Sequence, residues 1–119
     1  MVKIGVIGAG YWGEKLIGEY LKLSSQRPGV QLCAVVDTDR TRLRYIGDRY
    51  NLPNKVLYGN HLEAFDGPEE IDAVHIATPN ETHYRIAMGV IKRGKHVLLE
   101  QPMTLSSRSA FKLAREAEK

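Results

Sequence analysis

The feature that most constrains the fold is a regular alternation of short apolar segments with amphipathic segments. Apolar runs rich in β-branched residues predict five strands, at residues 2–7, 30–36, 55–58, 71–77 and 96–99. Apolar residues at helical spacing predict five helices, at residues 11–23, 40–50, 60–65, 81–93 and from 106 or 107 onward, with Asn60 and Asn80 as N-caps. Continuous apolar strands need cover on both faces, so we expect an α/β fold. Its doubly wound parallel sheet should have the strand order 3-2-1-4-5, with helices on both faces.

Size and charge exclude several classes of protein. The 119 residues fit one domain. The 17 Lys and Arg residues are mixed with 14 acidic residues, so the net charge of +3 indicates solvated helix faces rather than a nucleic-acid surface. No apolar run approaches the roughly 20 residues that cross a bilayer, and the N-terminus enters the first strand without a signal-peptide pattern. We expect a cytoplasmic protein with no nucleic-acid or membrane partner.

The cysteine and histidine residues indicate structural roles. Cys33 is the only cysteine and lies within the second predicted strand, where a small buried thiol is expected. His75 lies inside the fourth strand and is expected in the core or an interface, whereas His61 and His96 lie at element ends and should be structural or exposed. No grouping of His, Asp and Glu has metal-ligand spacing, so no metal site is predicted.

A glycine-rich segment joins the first predicted strand to the first helix. Gly8 permits a tight turn, Gly10 lets the backbone approach a pyrophosphate, and Gly13 lets the helix pack closely on the strand. The N-terminus of the following helix offers N–H groups and a partial positive charge to phosphates. This segment has the pattern G-x-G-x-x-G, and its residues are Gly8, Ala9, Gly10, Tyr11, Trp12 and Gly13.

An acidic residue ends the second predicted strand. Asp37, followed by Thr38, lies about 24 residues beyond Gly13, where a carboxylate can accept hydrogen bonds from an adenosine ribose. The same charge would repel a 2′-phosphate, so the pattern predicts NAD rather than NADP, although Arg40 close by softens that preference. The alternative is that Asp37 is a turn residue and the glycines form only a tight bend.

Polar segments follow the fourth and fifth predicted strands. Ligands of parallel sheets bind at the carboxyl ends of the strands, so these segments should lie over the nicotinamide end of a bound dinucleotide. The two segments are Thr78-Pro79-Asn80 and Glu100-Gln101-Pro102.

These motifs together resemble the glucose–fructose oxidoreductase, inositol dehydrogenase and MocA family, over essentially the whole chain. The resemblance implies a Rossmann domain and hydride transfer with NAD or NADP on hydroxyl or keto groups, mostly of sugars and polyols. It also implies that Thr78, Pro79 and Asn80 contact the cofactor, that His83 supports their loop, and that Glu100 lies near the nicotinamide ribose. A plain surface histidine is the other interpretation of His83. The motifs that carry the resemblance are the glycine segment 8–13, Asp37, Ala77-Thr78-Pro79-Asn80 with His83, and Glu100-Gln101-Pro102.

The chain departs from this family in two respects. Gln101 occupies the place of a family lysine, and a neutral amide replaces a charge that would face the reacting oxygen, which weakens the expectation of catalysis. Family members also continue into a substrate domain, which is absent from residues 1–119. The chain is therefore either a fragment of a longer protein or a natural module.

Three functions remain open from the sequence. The leading one is the NAD-binding half of an oxidoreductase. A stand-alone NAD(H)-sensing regulatory module is the alternative, and a site for S-adenosylmethionine is a weaker third because it has no use for the segments at 78–80 and 100–102. The apolar fifth strand at 96–99 would form an exposed edge, so we also expect a homo-oligomer.

Overall fold

The structure, a computed structural model, describes residues 1–99 and 107–119, with the side chain of Ser107 left out. Its centre is a five-stranded sheet in the order β3-β2-β1-β4-β5, and every neighbouring pair is parallel. The predicted fold class and strand order are confirmed. The strands are β1 (Val2–Ile7), β2 (Val30–Val36), β3 (Leu57–Tyr58), β4 (Ala73–Ile76) and β5 (His96–Leu99).

The helices follow the predicted alternation. None of them, within the described ranges 1–99 and 107–119, is long and apolar enough to cross a membrane. Short 3-10 turns at Asn54–Val56 and Asn80–Thr82 precede β3 and the fourth helix. The helices are α1 (Tyr11–Gln26), α2 (Arg40–Tyr50), α3 (His61–Phe65), α4 (His83–Lys92) and α5 (Ser107–Ala117).

The first helix extends beyond its predicted end at residue 23. The hydroxyl groups of Ser24 and Ser25 donate to the carbonyls of Tyr20 and Lys22 in the preceding turn, so these turn-forming residues stay helical. Arg27 then adopts an extended conformation, because the proline that follows disfavours helical geometry in the residue before it.

Other predicted boundaries also need correction. Residues 55 and 56 form part of a 3-10 turn, and β4 is shorter than the predicted 71–77. Asn80 does not cap α4: the Pro79 carbonyl accepts the Thr82 N–H at 2.9 Å, which closes a 3-10 turn, and α4 begins only at His83. Asn60 does cap α3, and its side chain accepts the Glu63 N–H at 2.9 Å.

The core has two parts, one on each face of the sheet. On one face α1 and α2 pack Ile17, Leu43 and Ile46 against Val6 and Val35. On the other face α3, α4 and α5 pack against alternate residues of the same strands, including Ile7, Val36, Val74 and Ile76. Apolar residues on both faces of β1, β2 and β3 fit a sheet that is covered by helices on both sides.

A bulge in β2 interrupts this alternation. Ile4 of β1 pairs with Leu32, but Gly5 pairs with Ala34, so Cys33 is the extra residue. Cys33 and Ala34 consequently lie in the same core cluster, and the predicted burial of the thiol is confirmed. Burial raises the pKa of the Cys33 thiol to about 11.

We predict that Cys33 resists thiol reagents while the protein is folded. Because the thiolate is the reacting species, a pKa of about 11 instead of 9.0 lowers its fraction about a hundredfold, and burial slows access further. An aromatic disulfide reagent at about pH 8 should react slowly in buffer and rapidly in urea. Equal rates in the two solutions would contradict the buried position.

Candidate dinucleotide site

The loop between β1 and α1 is built on two glycines. Gly8 has a φ of 103°, and a Cβ there would lie 2.8 Å from the carbonyl carbon of Ala77 at the end of β4. A Cβ on Gly13 would overlap the Gly8 carbonyl oxygen. The first turn of α1 therefore packs directly on the loop, and the loop packs directly on the end of β4, in a way that side chains would prevent.

The N-terminus of α1 faces open space. Gly10 is the N-cap, and no side chain in the described part of the chain caps this turn. Apart from Gly10 and its two chain neighbours, no described residue has an atom within 4 Å of a Cβ built on Gly10. The first N–H groups of a helix lack partners within the helix and carry a partial positive charge. This arrangement fits a pyrophosphate group.

Asp37 lies beside this loop, directly after β2. Its Oδ2 accepts the N–H of Ala9 at 2.8 Å, and its Oδ1 accepts the N–H of Asp39 at 2.8 Å. Two backbone donors fix the orientation of the carboxylate, and each oxygen keeps a lone pair for a further donor. Asp37 is thus a fixed acceptor next to the loop between β1 and α1.

A single groove of about 840 Å³ joins these features at the carboxyl edge of the sheet. Its volume is in the usual range for small-molecule sites. Tyr11 and Trp12 are largely exposed, and Lys15 lies over both rings. The groove is lined by these sequence-predicted residues: Gly8, Gly10, Tyr11, Trp12, Asp37, Thr38, Thr78, Pro79 and Asn80.

Other predicted residues occupy different positions. Ala9 is fully buried, and Gly13 is buried in the first turn of α1, so neither lines the groove and both shape the loop from behind. Glu100 and Gln101 lie outside the described residues.

His83 is completely buried, so a surface histidine is the wrong interpretation. Its Nε2 lies 3.0 Å from the carbonyl oxygen of Thr78. The hydroxyl of Thr82 donates to the Pro79 carbonyl at 2.7 Å, and its oxygen lies at hydrogen-bond distance, 2.6 Å, from Thr78 Oγ1. Contacts from Thr82 and His83 thus hold the loop at 78–80. His83 is not among the described residues that line the groove, and its described contact is with this loop.

The other histidines divide as expected from their positions. His75 is half-buried, and its Nδ1 lies 2.9 Å from the hydroxyl of Tyr20 in α1, a structural contact between sheet and helix. His96 is exposed at the start of β5. Burial, with the nearby charges of Arg85 and Arg93, lowers the pKa of His61. Among the described residues, no group of three His, Cys, Asp or Glu side chains is arranged to hold a metal ion.

The groove also contains residues that the sequence motifs do not single out. Asn60 and His61 line it from the start of α3, and Thr82 and Arg85 line it from the start of α4. The signal for the first pair was present in the sequence, because β3 ends at the same carboxyl edge as its neighbours. Arg85 lies within a helix and carries no such signal.

The fold and the groove define a dinucleotide-binding domain of the Rossmann class. Residues 2–119 match the family described as an oxidoreductase family with an NAD-binding Rossmann fold (GFO_IDH_MocA), and the chain belongs to this family. The resemblance drawn from the motifs is confirmed, and the cofactor of this domain is NAD.

The chain is similar to part of several longer proteins. The chain is 32% identical over 118 residues to an inositol 2-dehydrogenase of Arthrobacter sp. (strain FB24), covering 99% of this chain and 33% of that protein. It is 32% identical over 125 residues to a glycosyl hydrolase family 109 protein of Shewanella baltica (strain OS155), covering 100% and 26%. The crystal structure of GenD2 from gentamicin A biosynthesis, in complex with NAD, superposes with a TM-score of 0.81 at 31% identity, covering 98% and 31%. The chain thus spans about a quarter to a third of these relatives.

We predict that Gly13→Ala destabilises the protein whereas Gly18→Ala does not. The methyl group at position 13 meets the Gly8 carbonyl, and such overpacking costs about 1–3 kcal/mol. At position 18, in the same helix, a Cβ would lie 3.8 Å from the Tyr50 ring, an ordinary contact distance. Alanine there should raise the free energy of unfolding by about 0.5–1 kcal/mol, because it favours the helix more than glycine does. Urea unfolding measures both changes. Equal stability of the two variants would contradict the packing described here.

Proposed function

We propose that this chain holds NAD(H) along the groove, as the nucleotide domain of an oxidoreductase that acts on hydroxyl or keto groups of a sugar, polyol or related substrate. The observation that carries the proposal is the convergence of the uncapped α1 N-terminus, Asp37 and the loop at 78–80 in one groove. The inositol 2-dehydrogenase relative supports the substrate class. The sensor alternative has no support from the similar proteins reported above.

Each part of the groove has one task in this proposal. The N–H groups of residues 11–13 bind the pyrophosphate, and Asp37 accepts hydrogen bonds from the adenosine ribose. Thr78, Pro79 and Asn80 line the nicotinamide half, where His83 and Thr82 keep their loop in place. Bound NAD supplies the carbon that accepts or releases hydride. The domain itself binds and orients, which is the usual share of the protein in cofactor chemistry.

We propose further that NADH is preferred over NADPH. The carboxylate of Asp37 is held in place by Ala9 and Asp39, so it cannot turn away from an added 2′-phosphate without losing two hydrogen bonds. Arg40 is exposed, and its guanidinium lies close to Gly59.

Asp37→Asn should weaken NADH binding and reduce the preference over NADPH. Hydrogen bonds to a charged group contribute about 1.5–3 kcal/mol, so we expect the Kd for NADH to rise about tenfold or more, while the Kd for NADPH changes less or falls. Calorimetric titration of both nucleotides measures the ratio. Asp48→Asn, an equal change of charge on an exposed part of α2, is the control. An unchanged NADH to NADPH ratio in Asp37→Asn would contradict the role of Asp37.

The substrate domain, in this proposal, lies outside residues 1–119. The share of the relatives that the chain covers supports it, since two-thirds or more of each relative lies beyond this domain. Gln101 would then orient the substrate with a neutral amide where the family has lysine.

Gln101→Lys, made in the protein together with its substrate domain, should raise the turnover number and leave the Kd for NADH unchanged. A preorganised charge at the reacting oxygen is worth about 100–1,000-fold in rate. The readout is NADH formation with a panel of polyols and sugars. An unchanged or lower turnover number would contradict the proposal that Gln101 occupies the position of the family lysine at the reacting oxygen.

The relative from Shewanella baltica supports a second candidate, cleavage of a glycosidic bond by the complete protein. Both candidates use the same nucleotide groove, so the reaction depends on residues outside it. Net formation of NADH from a free polyol favours the dehydrogenase. Release of sugar from a glycoside without net NADH favours the hydrolase.

We also propose that the protein is cytoplasmic and that it self-associates through the β5 edge. The outer strand exposes Leu98, which is 48% accessible, and a groove of about 1170 Å³ next to it is lined by Ile91, Val97, Leu99 and Leu113. Unpaired apolar edges are normally covered or paired. A monomeric mass by light scattering at micromolar concentration would contradict this part of the proposal.

A further inference from the structure

The peptide units on both sides of Ala9 are held by side chains from other elements. The N–H of Ala9 donates to Asp37 Oδ2 at 2.8 Å, and its carbonyl accepts from Arg42 Nε at 2.6 Å. Ala9 is fully buried between the loop glycines Gly8 and Gly10. The residue after β2 and the first turn of α2 therefore fix the middle of the loop between β1 and α1, which we call the phosphate loop.

The direction of the Arg42 contact matters for ligand binding. In a trans peptide unit, the carbonyl of Ala9 and the N–H of Gly10 lie in one plane and point in opposite directions. Holding the carbonyl on Arg42 therefore aims the Gly10 N–H away from α2, and Gly10 lines the groove. Without Arg42 the same peptide unit is free to rotate and would lose this orientation.

Arg42 is itself fixed by a carboxylate in α1. Its second guanidinium nitrogen donates to Glu14 Oε1 at 2.6 Å. Glu14 Oε2 accepts from the Tyr50 hydroxyl at 3.1 Å and forms an ion pair with Arg49, whose Nε lies 3.1 Å away. Burial raises the pKa of Glu14, but the hydrogen bonds from Tyr50 and Arg42 and the two arginine charges outweigh it, so the pKa lies below its ordinary value. Glu14 is therefore ionised at neutral pH.

The position of Glu14 is unfavourable for an anion site unless its charge is compensated. It lies in the first turn of α1, close to the helix end that would hold the pyrophosphate, and a bare carboxylate there would repel phosphate. Arg42 and Arg49 supply that compensation. Arg42 thus orients the loop and also neutralises a charge behind it.

We propose that Arg42 and Glu14 are a positioning pair that sets the phosphate loop for the dinucleotide. Arg42 acts through Ala9 rather than on the ligand, because Nε and one terminal nitrogen are engaged and it is not among the described residues that line the groove. The inference deepens the proposed function and rests on it, since it concerns the same groove.

Nucleotide binding by Arg42→Met, Glu14→Gln and the double variant tests the pair. Arg42→Met should raise the Kd for NADH and for ADP about tenfold, which corresponds to about 1.4 kcal/mol, and change the Kd for adenosine much less because adenosine has no phosphate. The double variant should bind NADH more tightly than Arg42→Met alone, since Glu14→Gln removes the uncompensated charge. It should still bind more weakly than the wild type, because the Ala9 carbonyl has lost Arg42.

The controls separate positioning from mere stability. Arg44→Met makes the same change at an exposed position of α2 and should leave the Kd for NADH unchanged. Arg42→Lys keeps the charge but offers one nitrogen for two acceptors, so its Kd should lie between those of the wild type and Arg42→Met. Urea unfolding shows that each variant is folded under the binding conditions, and Arg42→Lys and Glu14→Gln decide the matter if Arg42→Met does not fold.

Three results are decisive. A selective loss of affinity for NADH and ADP in Arg42→Met, with partial recovery of NADH affinity in the double variant, supports the positioning pair. Lower stability with unchanged nucleotide Kd values overturns it and leaves Arg42 as a structural residue only. Absence of NADH binding by the wild type overturns the proposed function itself, and with it the inference.

Discussion

The rest of the site depends on the direct packing of the first turn of α1 on the Gly8 carbonyl. This contact brings the helix N-terminus to the carboxyl edge of the sheet, and it requires the absence of a side chain at Gly13. Gly8 in turn approaches the backbone at Ala77, so the loop after β1 and the loop after β4 form the two sides of one groove. A shift of α1 would therefore change the width of the groove and also the position of the helix N-terminus that lines it.

The strand order, the helix layers and the lining residues near positions 10, 37 and 78 could be predicted from the sequence. These features follow from apolar periodicity, from glycine at conformationally special positions and from the rule that parallel sheets bind ligands at strand ends. The boundaries were less predictable. The sequence predicts a turn at Ser24 and Ser25, but both residues continue α1. It predicts an N-cap at Asn80, but Asn80 begins a 3-10 turn. In both places local hydrogen bonds decide between conformations that the residue types alone leave open.

Most supporting contacts of the site could not be predicted, although the family resemblance implied that His83 supports the loop at 78–80. Arg42 and Glu14 are separated by 28 residues, and nothing in the sequence pairs them until α1 and α2 pack side by side. His83 carries the resemblance to its family, yet its complete burial depends on how α4 docks on the sheet. The bulge at Cys33 likewise arises from the register between β1 and β2 rather than from the residue itself. Motifs locate the groups that touch a ligand, whereas tertiary packing selects the groups that hold them.

The most direct test of the account follows backbone amide NMR signals of the 119-residue chain during titration with NADH. We predict saturable shifts of the amide signals of residues 8–13, 37, 38, 78 and 80, with little change in α5. Shifts that cluster on the groove between α4, α5 and β5, or no saturable shifts at all, would contradict the placement of the dinucleotide at the carboxyl edge of the sheet.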